Sequence, residues 1–118
     1  MITVVVSGVV RGDTLSVSPD ADQLLLSVSG HSGSAVKGAD IICAGISTLV
    51  QSAGRFLASR KVRIEVERRE GLMGLTVPLS GLSSENVFYA VCAFDLALGG
   101  MEMIAGSYPG SVEIRIVK

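Results

Sequence analysis

From Ser83 to about Ala105 the chain has almost no polar face. Val87, Phe88, Val91, Phe94, Leu96, Leu98 and Met101 recur at helical spacing and leave little room for water-facing side chains. Ser83-Ser84-Glu85 supplies hydroxyl caps and then an acid in the first turn, which marks a helix start. A helix that is apolar on several faces needs cover on several faces, so this one is expected between two layers. Cys92 lies deep in the run and reads as a core thiol. Gly99-Gly100 should weaken or kink the helix, and Gly106 should end it.

The cover has to come from the rest of a chain of 118 residues, enough for one real core and not for two. Residues 1–118 are therefore read as a single domain. Ile2 to Val10 is rich in valine and reads as a strand. Arg11-Gly12-Asp13 is a turn signal, and Thr14 to Ser18 reads as a return strand. Pro19-Asp20-Ala21-Asp22 breaks the pattern before Gln23 to Ser29, where Leu24, Leu26 and Val28 share a face. A first helix is expected from Asp40 to Ser59, with Ile42, Ile46, Leu49, Val50, Ala53, Phe56 and Leu57 at helical spacing. It approaches membrane-span length, but Asp40, Gln51 and Arg55 favour a buried soluble helix. Val62, Ile64 and Val66 alternate with Arg63, Glu65 and Glu67 as in a strand with one wet face. Leu75, Val77 and Leu79 suggest another strand, which Pro78 places at an edge or an end. Tyr108-Pro109-Gly110 turns the chain into a last alternating strand, Val112 to Ile116. The pattern is β-β-α-β-β-α-β. Two helices are too few to cover a large parallel sheet on both faces, so the fold class is α+β with a mainly antiparallel sheet.

Composition narrows the function classes. A formal charge of −1 argues against a general nucleic-acid binder. Arg60, Lys61, Arg68 and Arg69 form a basic run, but Glu65, Glu67 and Glu70 interleave with it, as on a solvated face. Two cysteines in unlike contexts make no disulfide framework and point to a reducing compartment, the cytoplasm. The N-terminal stretch lacks a basic lead, and Arg11 and Asp13 interrupt it, so it is expected to be a strand and not a signal peptide.

The chemistry concentrates between Gly30 and Ala44. His31 is the sole histidine and lies twelve positions before Cys43. Gly30, Gly33 and Gly38 surround it in a small, polar loop. Asp40 is placed to cap the helix that follows, by accepting one of its unpaired N–H groups. Cys43 would then sit in the first turn, where the helix dipole favours thiolate. His31 could take the thiol proton. Asp40 opposes this somewhat through its own charge, and it is also the candidate for orienting His31. Taken by residue type alone, a cysteine on an apolar helix is more often core, and a histidine in a Gly/Ser loop is more often solvated. Ser47 shares a face with Cys43, four residues on. It is either a helper near the thiol or a packing serine bonded to its own helix.

Gly30-His31, followed by Gly38-Ala39-Asp40-Ile41-Ile42-Cys43-Ala44 with Ser47 one turn on, resembles the bacterial ribosomal-processing cysteine protease (Prp) family. Tyr108-Pro109 before the final strand is a second match. The resemblance spans essentially the whole chain, although the region before His31 is longer than the family's usual hairpin. Those extra residues are expected to lengthen or bend the second strand. The resemblance implies a small homodimeric cytoplasmic protease that removes an N-terminal extension from the twenty-seventh large-subunit ribosomal protein. It implies His31 and Cys43 as the catalytic pair, with no cofactor, metal, nucleic acid or membrane involved.

Two other functions fit the same residues. One is a module that binds the ribosomal protein without cutting it. The other is a metal site built from His31, Cys43 and Asp40 or Cys92, which lacks any compact four-ligand spacing. If the chain is a protease, the glycines around His31 suggest a resting pair that is imperfectly aligned until substrate closes the loop.

Overall fold

The computed structural model describes residues 1–30 and 39–118, with side chains from Ile41 onward in the second segment. Five strands form one sheet: β1 (Ile2–Ser7), β4 (Gln23–Ser29), β5 (Glu65–Arg69), β6 (Leu72–Pro78) and β7 (Val112–Val117). Their order is β5-β6-β4-β1-β7. All neighbours are antiparallel except β1 and β7, which run parallel with Ile2 opposite Val112. With α1 (Ala39–Ser59) and α2 (Ser84–Ser107), the five strands follow the expected β-β-α-β-β-α-β order as an α+β fold.

Alternation along the strands decides the packing. Val4 and Val6, Leu24 and Leu26, and Leu75 and Val77 are buried on the helix side. The buried stripe of α1 is Ile46, Val50, Ala53 and Leu57, and that of α2 is Ala90, Ala93, Phe94, Ala97, Leu98 and Met101. By length and composition alone, both helices could cross a membrane. In this fold their buried stripes enter one core with the sheet. A Cβ on Gly100 would lie 2.7 Å from Leu49, so this glycine lets the two helices meet closely. The helix runs through Gly99-Gly100 to Ser107.

Helix ends follow local chemistry. The Ser83 side chain accepts the Asn86 N–H and caps α2 as expected. At the end of α1, the Val62 N–H bonds to the Leu57 carbonyl and the Lys61 N–H to that of Ala58. Lys61 takes the left-handed conformation (φ 63°) usually given to glycine in this motif. Arg60 lies 3.6 Å over the Phe56 ring and 5.4 Å from the Tyr89 ring centre, joining this end of α1 to α2.

Five expectations are corrected. Ile2 to Val10 is not one strand. Gly8 (φ 83°) breaks it, and residues 9–17 fold into a separate two-stranded sheet, β2 (Val9–Arg11) with β3 (Leu15–Val17). The extra residues therefore form their own hairpin and do not lengthen β4. Val62 and Ile64 lie outside β5, because Val62 is buried beneath the turn that ends α1. α2 is not enclosed between two layers. Phe88, Leu96 and Met103 are 66%, 78% and 75% exposed along its outer side. Cys92 belongs to that outer stripe and is exposed, so it is not a core thiol.

The small hairpin is tied to α2 by Arg11. Its guanidinium donates two bonds to the Glu102 carboxylate, at 2.6 and 2.7 Å. These bonds, with the charge of Arg11, hold the Glu102 carboxyl below its ordinary value of 4.5 against the opposing effect of partial burial.

Two measurements check this account. A Cβ at position 8 would lie 2.2 Å from the Gln23 carbonyl oxygen, at a backbone angle that L side chains resist. Gly8→Ala should cost at least about 2 kcal/mol in urea unfolding, while Gly12→Ala should change little. A carboxyl whose folded pKa is depressed stabilises the fold above its unfolded pKa and loses that contribution as pH falls. The stability gap between the native protein and Glu102→Gln should therefore be largest near neutral pH and close below pH 4.5.

Candidate active site

The site lies where the start of α1 crosses the C-terminal end of β4, the central strand. Register places Ile114, Val4, Val28, Met73 and Arg68 in one row across five strands, in the order β7-β1-β4-β6-β5. The row passes beneath the first turns of α1. A pocket of about 200 Å³ opens there. Cys43, Ile46 and Ser47 line it from the helix, Val28 and Met73 from the sheet, and Arg68 and Arg69 from the edge strand.

Cys43 is half-buried, while Ile46, three residues on, is fully buried. The burial of Ile46 fixes the rotation of the helix and turns Cys43 toward the pocket. α1 begins at Ala39, so Asp40 is its second residue and not its cap. Cys43 is the fifth residue and opens the second turn. In a helix with this start, the Cys43 N–H reaches back to the carbonyl of Ala39, and the unpaired N–H groups belong to the turn before it. Those earlier groups, and not the Cys43 N–H, are the ones positioned to meet an anion.

Ser47 also faces the pocket. Its hydroxyl accepts the Gln51 side-chain N–H at 2.9 Å and donates toward the Met73 sulfur at 3.8 Å. The first contact lies within its own helix, and the second joins α1 to β6.

Gly30 ends β4 beside the same pocket. Its N–H bonds to the Gly71 carbonyl at 3.1 Å. Its φ is 82°, and a Cβ there would lie 2.5 Å from the Met1 carbonyl oxygen. Only glycine suits a chain that leaves a strand so close to another backbone. Gly30 is thus a fixed post from which the next residue, His31, departs. His31, Gly33 and Gly38 lie outside the described residues, as does the side chain of Asp40. No cluster of three metal-ligating side chains occurs among the described residues.

Sequence reasoning singled out Cys43, Ser47 and Gly30, and all three line this pocket. It missed Met73 and Arg68, which reach the site through strand pairing. The only signal for them lay in the alternation of residues 65–77, which fixes faces but not partners.

Similarity to known proteins follows the same outline. A crystal structure of an essential ribosomal processing protease Prp from S. aureus, in complex with a substrate peptide, superimposes with a TM-score of 0.72 at 17% identity. The alignment covers 98% of this chain and 99% of that one. The same protease in complex with a covalently linked product peptide gives 0.70 at 17% identity, again over 98% and 99% of the two chains. SMU.848 from Streptococcus mutans gives 0.67 at 23% identity, over 100% of this chain and 96% of that one. At these identities the likeness is one of fold. No curated protein matches by sequence. The family model for cysteine protease Prp matches residues 15–113, a span that contains both His31 and Cys43. By that match, the chain belongs to the cysteine protease Prp family.

Proposed function

We propose that this protein is a cytoplasmic cysteine endopeptidase, acting as one domain. Its substrate is the twenty-seventh large-subunit ribosomal protein, from which it removes an N-terminal extension during ribosome maturation. The observation that carries the reading is the placement of Cys43. It faces a pocket at the start of a helix, beside the fixed post from which His31 departs. Cys43 is the nucleophile. Its sulfur attacks the scissile carbonyl, while His31 accepts the thiol proton and later returns it to the leaving amine. Water then releases the acyl group from the sulfur. The unpaired N–H groups one turn before Cys43 are the donors for the oxyanion. Asp40 stands at the second helical position, within reach in sequence of both partners, and Ser47 lines the floor beside the thiol. The chemistry needs no metal or cofactor.

The outer stripe of α2 supports a homodimer. Phe88, Cys92, Leu96 and Met103 stand one turn or nearly two turns apart and are all exposed. A two-fold contact would place this stripe against its own copy. Neither nucleic acid nor a membrane has a part in this reading.

Two experiments test it. Cys43→Ala and His31→Ala should reduce cleavage of a peptide spanning the extension at least about a thousandfold. Cys92→Ser should retain most of it. Full activity in Cys43→Ala would remove the mechanism, and tight binding of uncut peptide by the native protein would favour a binding module. For assembly, light scattering should give twice the 12.2 kDa chain mass. Leu96→Glu should shift that mass toward the monomer; a clean monomer for the native protein would count against the dimer.

A further inference from the structure

Among the described residues, Arg68 is a charge at the pocket with no ionic partner. β5 is an edge strand, so its residues alternate between the helix side of the sheet and the open side. Glu65, Glu67 and Arg69 fall on the open side. Arg69 pairs there with Glu67 at 3.1 Å, and Glu65 pairs with Arg63 at 3.2 Å. Arg60, immediately after α1, lies over Phe56. Arg68 falls on the helix side, in the row that runs through Met73 and Val28. It makes no ion pair with any described residue. The other charged residue in the described lining is Arg69, which Glu67 already engages; the remaining lining is apolar or small.

Arg68 is exposed at the rim, so its guanidinium is reachable by an anion and would meet it as a partly solvated pair. Its planar fork suits a carboxylate better than any neutral acceptor. The pocket floor offers Val28, Ile46 and Met73 to an apolar side chain. The combination selects a peptide that carries an apolar anchor with a carboxylate close beside it.

We infer that Arg68 is a specificity-determining residue of the peptide site, receiving a carboxylate that the bound peptide carries next to the apolar side chain seated by Cys43. The carboxylate has two possible sources with the same chemistry. One is an acidic side chain of the peptide. The other is the C-terminal carboxylate that cleavage would create. The inference rests on the proposed function for the direction in which a peptide lies past Cys43. Its test reads binding and does not require cleavage.

The probe is a set of labelled ten-residue peptides, each with one Phe. Glu, Gln or Lys is placed at each position within three residues of it, and every peptide is made with an amidated and with a free C-terminus. Binding to Cys43→Ala protein is measured by fluorescence anisotropy. At one position, or with the free terminus, the carboxylate form should bind about three- to fivefold tighter than its neutral partner, as befits a partly exposed ion pair. Arg68→Gln should abolish that ratio, Arg68→Glu should turn it toward Lys, and Arg63→Gln, away from the pocket, should leave it unchanged. A preference seen with internal Glu identifies an acidic side chain as the source; one confined to the free terminus identifies the cleaved end. Equal binding of charged and neutral peptides, a preference that survives Arg68→Gln, or no binding by any peptide would each overturn the inference. Loss of cleavage in the native protein with the binding preference intact would instead count against the protease reading alone.

Discussion

Cys43 is positioned by burial further along its own helix. Ile46, Val50, Ala53 and Leu57 are the stripe that fastens α1 to the core. A helix offers one rotation that buries such a stripe, and that rotation also decides where residue 43 points. The thiol therefore takes its orientation from packing that has no chemical role of its own. Truncating Leu57 in the core and altering the pocket at Cys43 are two ends of one rigid-body question.

The second helix meets a different demand. It carries more apolar surface than one domain of this size can hide. Its inner side packs so closely on α1 that even a Cβ on Gly100 would crowd Leu49. Its outer side keeps Phe88, Leu96 and Met103 in the open. One helix thus supplies both the tightest contact in the helical layer and its most exposed apolar stripe.

Much of the fold was legible because period and capping agree. Gln23 to Ser29 alternates over its whole length and is a strand over that same range. Ser83 announced the start of α2 because a hydroxyl cap is a local interaction. Pro78 marked a strand end for the same reason. The failures came where a distant partner decides. Val62, Ile64 and Val66 alternate like a strand, yet Val62 is held by the turn ending α1 and Val66, on the unsheltered edge, is 63% exposed. Cys92 looked interior because an apolar helix does not show which side will be covered. Arg68 looked like one of four solvated cations until the register set it in line with Met73. Cys43 and its pocket partner Ser47 were legible from helical spacing. The loop that carries His31 has no period to read.

The parallel pair at the edge of the sheet has a consequence for the order of events during synthesis. β1 is the second strand from that edge, and its outer neighbour β7 is the last strand made, with Ile2 facing Val112. β4, β5 and β6 can find all their partners while the polypeptide is still being elongated, but β1 can pair only with β4. Until residues beyond Val112 emerge, its outer side is a row of open N–H and C=O groups flanking buried valines, the kind of edge that recruits foreign strands. Closing it requires bringing together segments more than a hundred residues apart, which is slow compared with forming either helix. A nascent chain thus carries an open edge at β1 from the time that strand emerges until β7 follows it.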